Sequence, residues 1–281
     1  MNYNFFDIHS HLHFKDFNED RDSMILEMQK KGIGSMTIGT NYEDSKKAIA
    51  LAEKYNNLFA SVGLHPNGKD LWPSHEAADS EVFDEEKYFE LAKNKKVVAI
   101  GECGLDYFKF KGLSVELRNF IIEKQKEIFK KQIKIAVKLN KPLMLHGRPS
   151  SGSMDAYEDI LTLLEEVKKE AGENLKGNAH FFAGNSEIAK RFFDIGFTIS
   201  FSGVITFVRD YDEIIKSAPL EMLHAETDSP YVAPVPYRGK RNNPLYVEEV
   251  VKKIAEIKGL DVEEVGGQLI KNAERVFWGG R

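Results

Sequence analysis

Short apolar runs rich in β-branched and aromatic residues alternate along the chain with longer segments of helical period. Eight such runs stand out, at residues 4–9, 35–39, 59–63, 97–101, 142–146, 178–182, 197–201 and 221–226. Between them the spacing predicts helices over 21–31, 44–55, 85–94, 115–139, 156–170, 187–194 and 209–216. Two more, over 246–258 and 265–276, follow the eighth run. Local chemistry agrees with these boundaries. Asn41 is placed to cap the second helix, with Glu43 and Asp44 in its first turn, and Asn185 stands in the same relation to Glu187. In the 115–139 segment Phe129, Ile133 and Ala136 recur at helical steps, while Lys126, Lys130, Lys131 and Lys134 supply a solvated face. Strand-type runs alternating with helices imply βα units and a parallel sheet. Eight of them are the number that closes a (β/α)8 TIM barrel. An open doubly wound sheet is the alternative, but no glycine-rich dinucleotide loop follows the first run. No Pro/Gly/Ser-rich linker, tandem repeat or low-complexity tract divides the chain, so 1–281 is expected to be one domain.

Composition narrows the function classes. The chain has 281 residues, 42% hydrophobic and 30% charged, enough to build a sizeable core. Lysine and arginine number 39 against 44 aspartates and glutamates, a formal charge of −5. An acidic surface argues against tight coating of duplex nucleic acid, so a polyanion must be met by a local basic patch or a metal. Cys103 is the single cysteine and forms no internal disulfide. No apolar run approaches the roughly 18 to 20 residues of a membrane span, and residues 1–9 lack a signal-peptide pattern. A cytoplasmic enzyme with no membrane attachment and no obligate protein partner is the expectation.

Ligand-type side chains stand at the carboxyl ends of several strands. The first strand ends in Asp7-Ile8-His9-Ser10-His11, the third runs into His65-Pro66, and the fourth into Gly101-Glu102-Cys103. The fifth runs into His146-Gly147-Arg148, the sixth carries His180, and the eighth runs into Glu226-Thr227-Asp228. In a barrel these ends meet at one mouth, which is therefore the expected metal site. His9 and His11 are two apart in extended chain and point to the same side. With Asp228, and with Glu102 as a bridge, they make the imidazole and oxygen shell that zinc accepts; Glu102, His146 and His180 are placed to hold a second ion. Two divalent ions of this kind, Zn, Mn or Mg, clamp a phosphate and acidify a water. Asp7 reads as a hydrogen-bonding support, and His13, His75 and His224 as structural histidines. Cys103, on the opposite strand face from Glu102, reads as packing.

At these residues the chain resembles the TatD family of metal-dependent hydrolases, generally associated with deoxyribonuclease activity. The likeness spans nearly the whole chain: Phe6-Asp7-Ile8-His9-Ser10-His11-Leu12, Gly63-Leu64-His65-Pro66, Gly101-Glu102-Cys103-Gly104-Leu105-Asp106-Tyr107, Leu145-His146-Gly147-Arg148, His180-Phe181-Phe182-Ala183-Gly184, Glu226-Thr227-Asp228-Ser229-Pro230-Tyr231 and Arg238-Gly239-Lys240-Arg241-Asn242. It implies His9, His11 and Asp228 on one ion, His146 and His180 on the other, Glu102 between them, and His65 and Arg148 near the substrate. His13, Cys103 and Gly147 depart from the family's usual residues, and 68–84 and 149–155 look like enlarged loops.

The reaction expected is hydrolysis of DNA phosphodiesters, at ends or in single strands, by a metal-activated water whose proton Asp228 accepts, with Glu102 as its catalytic partner. Arg148, Arg238, Lys240 and Arg241 are candidates for flanking phosphates, and Tyr107 or Phe108 for stacking a terminal base. The alternatives are a hydrolase of an amide, lactone or phosphotriester on the same metals, and an inactive binding barrel. Lys141 precedes the fifth strand and so does not offer the bridging lysine that some metal hydrolases carbamylate.

Overall fold

The computed structural model describes residues 3–67 and 83–279. The polar stretch that the sequence marks at 68–84 lies mostly outside them, as does His75. Eight strands pair in chain order in one parallel sheet: β1 (Phe5–Ser10), β2 (Ile33–Ile38), β3 (Leu58–Val62), β4 (Val97–Asp106), β5 (Leu143–Arg148), β6 (Gly177–Ala179), β7 (Thr198–Phe201) and β8 (Leu223–Ala225). Among the described residues nine α-helices accompany them: α1 (Arg21–Lys30), α2 (Tyr42–Lys54), α3 (Glu85–Ala92), α4 (Val115–Leu139), α5 (Asp155–Ala171), α6 (Ser186–Asp194), α7 (Asp212–Ser217), α8 (Val247–Lys258) and α9 (Val262–Trp278). This is the (β/α)8 barrel that the alternation predicts. The Asn41 side chain accepts the Asp44 amide and that of Asn185 accepts the Ile188 amide, so both expected caps form.

Two elements differ from the sequence reading. β4 does not stop at Gly101 but runs on to Asp106, pairing Cys103 with Leu145 and Asp106 with Arg148 after a register shift. Gly101 and Gly104 make this possible: at φ 148° and 138° they lie against the backbone of β5, where a side chain would strike the carbonyls of Met144 and His146. β8 is shorter than 221–226, because residues after Pro219 first make a 3-10 turn, Leu220–Met222.

The barrel is sealed differently at its two ends. At the carboxyl mouth the seam between β1 and β8 is made just beyond the strands, where Asp228 N–H donates to the His9 carbonyl (2.9 Å) and His11 N–H to that of Ser229 (2.8 Å). At the other end α9 inserts Ala273, Val276 and Phe277 among the inward-facing Phe6, Ile8, Met36, Ile38, Val98 and Met144. Trp278 meets Phe6 and Phe59 edge-on, with ring centroids 5.4 and 4.7 Å away. Among the described residues no helix is long and apolar enough to cross a membrane.

Candidate metal centre

A cavity of about 890 Å³ opens at the carboxyl ends of the strands, lined by His11, His65, Glu102, His146, His180 and Asp228 among others. Glu102 stands at its centre, nearly buried. Its Oε1 lies 2.8 Å from His146 Nδ1, 2.7 Å from His180 Nε2 and 3.4 Å from His65 Nε2. Its Oε2 lies 3.7 Å from His9 Nε2. Asp228 Oδ1 is 3.5 Å from both His9 Nε2 and His11 Nε2, so strand alternation does bring these two imidazoles onto one carboxylate. The rings of His9 and His180 stack at 3.8 Å. Asp228 takes a left-handed φ of 52°, which an aspartate adopts more readily than most residues. The Gly101–Glu102 and Ser229–Pro230 peptides beside the two carboxylates are both cis.

Backing groups face three of the four imidazoles expected as ligands. His11 Nδ1 bonds the Ile38 carbonyl at 2.9 Å, His146 Nε2 bonds Asp106 Oδ2 at 3.1 Å, and His180 Nδ1 faces Glu226 Oε1 at 3.6 Å. His9 on both ring nitrogens, and His180 at Nδ1, are buried without a hydrogen-bond partner.

The charges explain what such a pocket needs. Burial would raise the Glu102 carboxyl, but His65, His180 and the bonds from His146 and His180 hold it well below the usual range. Burial would lower His180, yet Glu102 and Glu226 hold it well above the ordinary imidazole value. His11 and His146 are likewise raised against burial, by Asp228 and Glu102 in one case and by Asp106 and Glu102 in the other. His9 is pushed well down by burial and by the neighbouring His180, and His65 is lowered by burial. Without a cation, then, the cluster raises some of these imidazoles and lowers others beside them. A divalent ion removes that conflict, because it takes every imidazole neutral and answers both carboxylates. The donor set fits one: His9, His180 and Asp228; His9, His11 and Glu102; and His65, Glu102 and His146 each bring ligand atoms within 4.8 Å of one another. His65, expected near the substrate, thus stands among the possible ligands.

Other expected residues lie elsewhere. Tyr107 is only 2% exposed, its hydroxyl donating to Asp159 Oδ2 at 2.8 Å, so it is not placed to stack a base. Phe108, 48% exposed, is the available ring, with the Arg148 guanidinium 3.9 Å above it. The basic cluster is not a free patch. Arg241 pairs with Asp20 at 2.5 Å, Arg238 bonds the Ala233 carbonyl and covers Phe207, and Lys240 is exposed; none of the three lines the cavity. Lys141 points to the opposite end of the barrel, where it bonds the carbonyls of Ala92 and Val97. His13 bonds Thr37 Oγ1, and His224 and Cys103 are buried. Asp106 and Glu226 were not singled out as site residues. The signal for Asp106 was its even spacing from Glu102, usable only once β4 is seen to continue past the glycines.

A parallel barrel carrying imidazoles and carboxylates at its carboxyl mouth defines a metal-dependent hydrolase. The sequence model of the family described as TatD related DNase matches residues 6–278. The chain is 34% identical over 275 residues to the metal-dependent hydrolase YabD of Bacillus subtilis strain 168, covering 97% of this chain and 98% of that protein. It is 33% identical over 278 residues to YcfH of Escherichia coli strain K12, again a metal-dependent hydrolase, covering 96% and 94%. The crystal structure of YJJV, a TatD homolog from Escherichia coli K12, superposes with a TM-score of 0.80 at 26% identity, covering 99% of each chain. The chain belongs to the TatD family.

Proposed function

We propose that this chain hydrolyses DNA phosphodiesters at ends or in single strands, with two divalent cations held by His9, His11, Glu102, His146, His180 and Asp228. The observation that carries this reading is the convergence of His9, His180, Glu102 and Asp228 at the floor of one open cavity with Arg148 beside it. The family's description as DNases supports the substrate class. Bound cations supply charge neutralisation for a phosphate and acidify a water toward neutral pH.

The chain's own groups divide the remaining work. Asp228, reachable from the cavity, accepts the proton of the attacking water at a carboxylate oxygen and orients that water. Glu102, fixed by three imidazoles, holds the two halves of the ligand set at constant spacing. Arg148 offers its guanidinium to a phosphate next to the scissile one, and Phe108 and Tyr231, both about half exposed, offer faces for bases. A closed-ended cavity suits a strand end better than the middle of a duplex.

The test combines metal analysis with cleavage of end-labelled single-stranded and duplex DNA, with and without chelator. Chelator-sensitive release of nucleotides from ends is expected, and it should be abolished in Asp228→Ala and Glu102→Ala proteins that remain folded. Cleavage indifferent to chelator would refute the metal assignment. A metal-loaded preparation that cleaves amides, lactones or phosphotriesters but no DNA would refute the substrate.

A further inference from the structure

We propose that Glu226 is the positioning residue of His180: it fixes the ring's orientation and tautomer through a buried relay that continues to Ser200 and Asn178. This rests on the reading that His180 holds a cation.

Glu226 is fully buried, and His180 is the only basic side chain within 4.0 Å of its carboxylate among the described residues. Its oxygens are each committed. Oε1 accepts the Phe181 N–H at 2.7 Å, which sets that oxygen against the backbone beside His180, and stands 3.6 Å from His180 Nδ1. Oε2 accepts the Ser200 hydroxyl at 2.5 Å. The Ser200 oxygen in turn accepts from Asn178 Nδ2 at 2.8 Å, and Asn178 Oδ1 accepts the Thr198 hydroxyl at 3.0 Å. Thr198, Ser200, Asn178 and Glu226 are all without solvent exposure.

Both ring nitrogens of His180 face a carboxylate, which only accepts hydrogen bonds: Nε2 lies 2.7 Å from Glu102 Oε1, while Nδ1, buried and without a hydrogen-bond partner, faces Glu226 Oε1 at 3.6 Å. Nε2 points into the cavity and donates to Glu102 Oε1; a cation held at Nε2 would take the place of that proton and leave the ring's remaining one on Nδ1, toward Glu226. Asp106 stands behind His146 in the same way, from the other side of Glu102. Burying a carboxylate and three neutral polar side chains between β6, β7 and β8 costs desolvation that apolar residues of similar size would avoid. The arrangement is explained by what it does to His180. A carboxylate behind a ligand histidine raises its basicity and locks the ring, and losing such a partner lowers metal affinity by about 10- to 100-fold.

The experiment uses the full chain labelled with ¹⁵N-histidine and Zn²⁺ alone as the probe. In the zinc-loaded protein, long-range ¹H–¹⁵N spectra should show His180 protonated at Nδ1. Glu226→Gln should bind Zn²⁺ about 10- to 100-fold more weakly and lose the single tautomer. Glu226→Asp, which retains a carboxylate, should recover part of both. Unchanged affinity together with an unchanged His180 signal in Glu226→Gln would overturn the proposal. If that variant does not fold, Ser200→Ala decides: a displaced His180 Nδ1 resonance and weaker Zn²⁺ binding support the relay, and no change in either overturns it. DNA does not enter these measurements. A chain that binds zinc as described yet cleaves no DNA would refute the nuclease reading and leave this one standing.

Discussion

Asp7 and Thr227 are bonded twice across the seam of the barrel. One carboxylate oxygen accepts the Thr227 N–H at 2.9 Å and the other its hydroxyl at 2.7 Å, although the two residues are 220 positions apart in the chain. The first oxygen also lies 3.2 Å from the His9 amide, so Asp7 reaches both neighbours of the ligand set: His9 on its own strand and Asp228 one residue past Thr227. Asp7→Ala should therefore leave the Thr227 donors buried without acceptors, at a cost of about 1–3 kcal/mol. The fall in Tm and in chelator-resistant metal content should appear together. A destabilised variant that retains full metal affinity would show that the seam and the centre are independent.

Proton competition gives a direction for the metal's pH dependence. His11, His146 and His180 have raised pKa values in the metal-free protein, so each must give up a proton more readily at higher pH before it can ligate. His9 and His65 are lowered, and so add less to that requirement. Metal affinity should thus rise with pH from about 6 upward, through and beyond the ordinary imidazole range. Binding should release protons, counted by calorimetry in buffers of different ionisation heat. Affinity that is flat with pH and releases none would contradict this charge distribution. The Glu102 carboxyl, held well down, stays ionised throughout and lets go of its imidazoles only in acid.

Phe108 and Tyr107 are neighbours with opposite surroundings, and substitution should separate them. Phe108→Ala removes an exposed ring and should raise KM for a DNA substrate, by an amount equivalent to about 1–3 kcal/mol if one base stacks there, with little change in Tm. Tyr107→Phe removes the bond to Asp159 and should cost about 0.5–1.5 kcal/mol of stability with KM unchanged. A KM effect at Tyr107 but none at Phe108 would reverse the assignment.

At the closed end of the barrel, Phe277→Ala should open a cavity among Phe6, Met36 and Val98 and destabilise by about 3–5 kcal/mol. The six proposed ligands are at the far end, so metal stoichiometry below the new Tm should be intact. Loss of metal from a protein still folded by circular dichroism would mean that α9 is coupled to the mouth.

Much of this architecture was readable from the chain. The strand runs, the two asparagine caps and the full extent of α4 follow from local periodicity, which operates over a few residues. The convergence of His9, Glu102, His146, His180 and Asp228 follows from strand ends alone once the barrel is assumed. What local pattern could not convey is side-chain facing beyond a glycine. Gly101 and Gly104 resemble a loop, so the continuation of β4, the inward Asp106 and the outward Tyr107 all went unread. Partners remote in sequence were also hidden: Arg241 looks like a free phosphate ligand until Asp20, on the far side of the seam, is found beside it. Glu226 and Asp228 look alike in the string Glu-Thr-Asp, and only burial tells the buried one from the one at the cavity wall.

The seam and the plug share a property that bears on biosynthesis. Both depend on segments that leave the ribosome after the first seven strands: Thr227 to Ser229 for the mouth, and α9 for the opposite end. Until then the nascent chain carries β1 with one long edge unpaired, a state prone to capture by other strands. The barrel therefore closes late, because the segments that seal its two ends follow the first seven strands in the chain.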